Sequence, residues 1–156
     1  METKAETNRL TAIEQIESNV VTLINDKVKS QENREKIKRV INDVLFAPNS
    51  IIDIDVNDIT DLFQKGGEIH TIETSTDATQ ENRMKMLVEQ IRKSANSYEP
   101  YSHILVYFFI SESHPMLMEE LQLFSEWIES VPCEITIKWG LSVQPKQELR
   151  AIVLVQ

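Results

Sequence analysis

The sequence predicts an α+β domain: a two-layer, mixed four-stranded sheet with helices on one face, in the order β-α-β-α-β-β, preceded by an N-terminal helical segment. Three observations predict it. Apolar residues recur at helical spacing through the first third of the chain. Residues 103–110, HILVYFFI, form an unbroken apolar run of strand length. Beyond residue 68, stretches with strand and helix periodicity alternate. At 156 residues with 41% hydrophobic content, the chain fits one domain able to bury a sizeable core.

Each element has its own signature. Leu10, Ile13, Ile16, Val20, Leu23, Ile24 and Val28 make an apolar stripe, so residues 10–29 read as a helix. A polar break at residues 30–33 follows. Ile37, Val40, Ile41, Val44 and Leu45 mark a second helix that ends near Pro48. Asp55 is a good N-cap for a short third helix over residues 56–64, with Asp58 in the capping-box position. Gly66 or Gly67 is suited to stop it.

Residues 68–74 read as a strand, with Ile69 and Ile72 as its apolar members. Residues 81–97 are helical, with Met84, Leu87, Val88, Ile91 and Ala95 inward. The run at 103–110 reads as a central strand buried on both faces. Pro115 opens a helix expected to bury Leu117, Leu121, Phe124, Ile128 and Val131. Residues 134–143 alternate Ile135, Ile137 and Trp139 against polar neighbours, and residues 149–155 are the last strand. The connection through Gln144, Pro145, Lys146 and Gln147 reads as a hairpin between these two.

The most unusual segment is NSIIDIDVNDITD, residues 49–61. It places Asp53, Asp55, Asp58 and Asp61 within nine positions, threaded by Ile51, Ile52 and Ile54. Acids this dense repel one another, so they imply a purpose. Helix capping is one, contributing about 1 kcal/mol. A calcium loop is a poor match. Asp53, Asp55 and Asn57 fit its first positions, but Asp58 replaces the required glycine and Gln64 the closing glutamate.

Composition excludes several functions. Net charge is −9. Residues 1–48 are neutral and the acid excess lies beyond them. Such a surface repels phosphate backbones and anionic lipid, so no nucleic acid and no membrane partner is expected. No apolar run approaches about 18 residues, so neither a transmembrane helix nor a signal peptide is expected. Cys133 is the only cysteine, which suits a reducing cytoplasm. Three glycines in the chain, Gly66, Gly67 and Gly140, form no phosphate-cradling pattern, so no cofactor and no GTP binding by this chain alone is expected.

Other chemistry-bearing residues read as structural. His70, His103 and His114 lie on three elements without ligand spacing, so no metal site is expected. Cys133 reads as a small packed residue. Met84, Met86, Met116 and Met118 read as core and its edge, as do Trp127 and Trp139. Glu119 and Glu120 read as a solvated helix face.

Several stretches in fixed order resemble the C-terminal domain of the FtsZ/tubulin-like family. Pro48, then Ile51, Ile52, Asp53, Ile54, Asp55, Val56, Asn57 and Asp58, resembles the family's synergy loop, P-x-x-x-N-x-D-x-x-D. Asp55 and Asp58 fall on its two acidic positions, and Asp53 falls where asparagine is usual. Glu81, Asn82 and Arg83 resemble the acidic-arginine start of the following helix. Ile137, Lys138, Trp139 and Gly140, then Glu148, Leu149, Arg150, Ala151, Ile152 and Val153, resemble the closing strands. The match runs from Arg34 to Gln156. It departs from the family at residues 69–74, which lack glycine, and in lacking the N-terminal GTPase domain.

The resemblance implies a division into residues 1–48, a helical segment packing on the domain, and residues 49–156, the FtsZ C-terminal-like domain. The two helices of residues 10–46 are expected to cover surface that the missing domain would otherwise bury. In the family, the synergy-loop acids act on GTP held by the neighbouring subunit, where they polarise the attacking water. The resemblance therefore implies a bacterial, cytoplasmic interaction protein of cell division or the cytoskeleton. It would dock on an FtsZ/tubulin-like filament and modulate polymerisation, with Asp53, Asp55 and Asp58 as its candidate site. It would not be an enzyme by itself. The alternative is a structural or ligand-binding module that self-associates and has lost the filament interface. Capping and retained function both remain open for Asp55 and Asp58.

Overall fold

The computed structural model describes residues 20–64, 68–131 and 134–156. The expected stripe positions Leu10, Ile13 and Ile16, the glycine stop at Gly66 and Gly67, and Cys133 lie outside the described residues. Among the described residues the first helix, α1, spans residues 20–27. The remaining helices are α2 (Gln31–Leu45), α3 (Val56–Gln64), α4 (Arg83–Asn96) and α5 (Met118–Ser130). The strands are β1 (Ser50–Ile52), β2 (His70–Asp77), β3 (His103–Ser111), β4 (Thr136–Gln144) and β5 (Glu148–Val155).

The strands form one mixed sheet in the order β1-β4-β3-β5-β2. β3 pairs parallel with β4 and antiparallel with β5. β2 closes one edge, antiparallel to β5, and β1 the other, antiparallel to β4. The expected α+β fold is present, with a fifth strand: β1 lies inside what the sequence presents as an acidic loop. At three residues it is too short for a periodic signal, and Ile51 on it is 63% exposed.

The expected hairpin does not form. β4 and β5 both flank β3 rather than each other. β3 is buried along nearly its whole length, so its two edges are the best sites for pairing. The three residues between β4 and β5 reach across it, a span of about 10 Å at two strand spacings.

Side-chain alternation builds a core on each face. Ile104, Val106, Phe108 and Ile110 of β3 point to the layer of α4 and α5, meeting Met84, Leu87, Ile91, Phe124 and Trp127. Leu105, Tyr107 and Phe109 point the other way, to α1, α2 and α3, and meet Ile24, Ile41, Val44, Ile59 and Phe63. Val20, Ile24 and Val28 are each at most 4% exposed, so α1 is integral to this second core. Full burial of each such side chain contributes about 1.5–3 kcal/mol. Leu117, expected inward, is 56% exposed, because it precedes the first turn of α5 rather than lying on its inner face.

Candidate functional site

The acidic segment is held at one end of the sheet by three devices. Asn49 takes a left-handed backbone, φ 56°, which asparagine tolerates better than most residues, and turns the chain from α2 into β1. Its carbonyl accepts from the Val143 N–H at 3.2 Å. Tyr107 then reaches across from β3, its hydroxyl 3.0 Å from Ser50 Oγ. The ring has room because the facing residue of β4 is Gly140: a Cβ there would lie 2.9 Å from the ring and 2.6 Å from the Ile52 carbonyl oxygen. Gly140 therefore permits both the tyrosine tether and the docking of β1.

From this anchor the chain enters α3 through a reciprocal cap. Asp55 Oδ1 accepts the Asn57 N–H at 3.1 Å, and Asp58 Oδ2 accepts the Asp55 N–H at 3.1 Å. Two orphan donors of the helix start are thereby satisfied. The capping expected of both residues is present. Asp55 is exposed, and Asp58 is 23% exposed with its Oδ1 3.7 Å from Lys138 Nζ. Asp53 is exposed beside them. Asp53 and Asp55, with Phe46, Pro48 and Val56, border an open groove of about 830 Å³ between the end of α2 and the start of α3. Chemically, the arrangement offers solvent-facing carboxylates on a rigid helix start, which can accept a proton or orient water.

Two ionic assemblies escaped sequence reasoning. Arg83 is buried at the start of α4, where its guanidinium chelates Glu120 of α5 at 2.6 and 2.7 Å. Its other N–H groups donate to the carbonyls of Ala78, His114 and Pro115. Burial pushes the Glu120 carboxyl up, but the hydrogen bond and charge of Arg83, with the Leu117 N–H, outweigh it and hold the group below its ordinary value. Glu120 is thus a clamp between two helix starts rather than a solvated residue. Its position four residues before Phe124 and seven before Trp127, which puts all three on one helical face, is the signal that identifies it. On the opposite face, Glu73 of β2 binds Arg39 of α2 at 2.6 and 2.9 Å and Arg150 of β5 at 3.1 Å. Arg39, foremost through its hydrogen bonds, keeps Glu73 below the ordinary glutamate value despite partial burial.

The histidines stay apart. His70 stacks on Tyr98 at 4.0 Å, His103 opens β3, and His114 lies in the β3–α5 loop. Among the described residues no group of three or more His, Cys, Asp or Glu is placed to hold a metal ion, and no helix is long and apolar enough to cross a membrane.

No protein-family model and no curated protein matches the chain in sequence. Solved structures match it in fold. FtsZ of M. jannaschii superposes with a TM-score of 0.58 at 16% identity, over 82% of this chain and 41% of that one. GDP-form protofilaments of Bacillus thuringiensis serovar israelensis TubZ give 0.59 at 10% identity, over 87% and 39%. CetZ1 from Haloferax volcanii, as a GDP-bound monomer, gives 0.52 at 17%, over 82% and 41%. The chain spans about two fifths of the length of these proteins. At such identities the likeness is one of fold, and it is the fold of the FtsZ/tubulin-like C-terminal domain.

Proposed function

We propose that this chain, with the FtsZ/tubulin-like C-terminal fold as its premise, is a cytoplasmic interaction protein that docks on an FtsZ/tubulin-like filament and modulates its assembly. The observation that supports this most is the presentation of the acids. Asp53 and Asp55 face solvent, and Asp58 is partly open, on a helix start fixed by Gly140, Tyr107 and the reciprocal cap. In this reading, the loop enters the nucleotide-exposed end of the terminal filament subunit. Asp55 and Asp58 then lie beside the bound nucleotide, where carboxylates orient the attacking water. The 156 residues contain no glycine-rich phosphate loop of their own, so the docked chain offers the next subunit no nucleotide. It acts as a cap.

A second reading rests on the cap geometry. Asp55 already accepts the Asn57 N–H of α3 and Asp58 accepts the N–H of the capping residue Asp55, which is by itself a sufficient role for both. In that case the chain is a self-associating module without a filament partner.

The two separate in a light-scattering and GTP-turnover assay with an FtsZ-type protein. Under the filament reading, sub-stoichiometric chain slows assembly, since one molecule per filament end suffices. Asp55→Asn with Asp58→Asn preserves capping but supplies poor proton acceptors, so it alters turnover relative to the native chain. If native and double-Asn proteins both leave assembly and turnover untouched at equimolar dose, the filament reading fails and the acids are caps alone.

A further inference from the structure

The two edges of the sheet are built differently. β1 is three residues long with an irregular register, which leaves little to pair with. β2 is eight residues long and in unbroken register with β5 from His70 to Asp77. It contains no proline, lysine or bulge, and of its two acids Glu73 is already tied to Arg39 and Arg150, leaving Asp77 as its one unneutralised charge against edge pairing.

The hydrogen-bond phase of the sheet shows which groups of β2 are free. His103 and Gln156 exchange both backbone bonds, at 3.2 and 3.0 Å, so Arg150, Ile152 and Leu154 of β5 also bond toward β3. The alternate residues, Leu149, Ala151, Val153 and Val155, bond toward β2. The Ala78 N–H to Gln147 carbonyl bond at 3.2 Å continues the same phase. His70, Ile72, Thr74 and Thr76 therefore face β5, while Thr71, Glu73 and Ser75 direct N–H and C=O away from the sheet. Among the described residues no backbone hydrogen bond reaches these three from outside.

We propose that this edge pairs with the β2 edge of a second copy of the chain, antiparallel about a two-fold axis at Thr74, joining two sheets into one. Outward-facing residues must oppose one another, so only a few registers are possible. Centred on Glu73, the pairing sets Glu73 against itself. Centred on Ser75, it sets Glu73 against Asp77 twice. Centred on Thr74, it sets Glu73 against the second copy's Ser75, Ile72 against Thr76, and Thr74 against itself, with no like charges directly opposed. Centred on Ile72, it also opposes no like charges but pairs only residues 70–74, against residues 71–77 in the Thr74 register, so the Thr74 register is the longest one without a charge conflict. The helix flank beside the edge fits the same contact. Gln90 of α4 hydrogen-bonds Thr74, and Met86, one turn earlier on that flank, is 42% exposed. An isologous interface follows, in which each contact occurs twice.

Sedimentation of the full-length native chain across micromolar concentrations tests this, and a concentration-dependent dimer is expected. Ser75→Pro removes only an outward N–H and leaves the β2–β5 ladder intact, so it abolishes the dimer without unfolding the chain. Circular dichroism verifies the fold. A charge at the two-fold faces itself, so Thr74→Lys and Thr74→Glu both weaken the dimer, by roughly 1.5- to 5-fold for a pair worth about 0.2–1 kcal/mol. In a Cys133→Ser background, Thr74→Cys crosslinks to its mate on mild oxidation, because non-hydrogen-bonded antiparallel partners lie within disulfide reach. A chain that stays monomeric overturns the proposal. So does a dimer insensitive to Ser75→Pro. A monomer whose β2 gains hydrogen-exchange protection only when an FtsZ-type protein is added assigns the edge to a foreign strand and also overturns it.

Discussion

At the scale of single residues, the acids divide into those that hold structure and those that also face solvent. Asp55→Ala should cost about 1 kcal/mol in urea unfolding, and Asp55→Asn only a few tenths, because asparagine caps nearly as well. Glu120 differs. Removing Arg83 would leave the buried carboxylate without a countercharge, with only the Leu117 N–H bonded to it, so Arg83→Ala should cost about 3–5 kcal/mol, whereas Arg83→Met with Glu120→Leu should recover most of that loss. Unfolding of the three proteins at neutral pH measures both statements. Glu73 and Glu120 also set the acid response. Both carboxyls lie below the ordinary value of 4.5 in the folded chain. The stability they contribute is therefore present above 4.5 and is lost as pH falls through their folded values. Urea midpoints measured on acidification should fall in that window, and Glu73→Gln and Glu120→Gln should each flatten the decline.

At the scale of elements, the decisive contacts are those that dock β1 and α1. Gly140→Ala would push a methyl group into the Ile52 carbonyl and the Tyr107 ring. A loss of about 1–3 kcal/mol is expected, since backbone must shift to relieve it. Hydrogen exchange should localise the change to β1 and the start of α3, and leave α4 and α5 protected. In α1, Ile24 is 1% exposed within the core that contains Ile41, Val44 and Phe63. Ile24→Ala should cost about 2–5 kcal/mol. Deleting residues 1–30 should lower both solubility and urea resistance, because it uncovers that core. Equal solubility and stability of the truncated protein would show α1 to be an appendage.

At the scale of the whole molecule, the chain should not bind GTP or GDP at micromolar concentration. The 156 residues supply neither a glycine-rich loop nor a P-loop lysine pattern with which to cradle phosphates. Titration calorimetry on the purified chain checks this, and tight binding would contradict the proposed mode of action. The two proposed interaction surfaces are on different parts of the sheet: the acidic helix start beside β1, and the open β2 edge. They lie at opposite edges of the strand order, so dimerisation through β2 leaves the acids of both copies exposed.

By itself the sequence determined the element types, the helix start at Asp55 and the buried central strand, because each depends on local spacing or on a run of like residues. The resemblance in residues 48–58 and 137–153 pointed to the fold that the superpositions show. What tertiary structure decided was pairing. That β3 separates β4 from β5, that Ser50–Ile52 is a strand, that Glu120 meets Arg83 thirty-seven positions away, and that Gly140 makes room for Tyr107 all depend on which surfaces meet after collapse. Helical and strand periodicity record which face of an element is apolar. They carry no information on which other face will cover it, because hydrophobic burial is non-directional and many partners satisfy it equally.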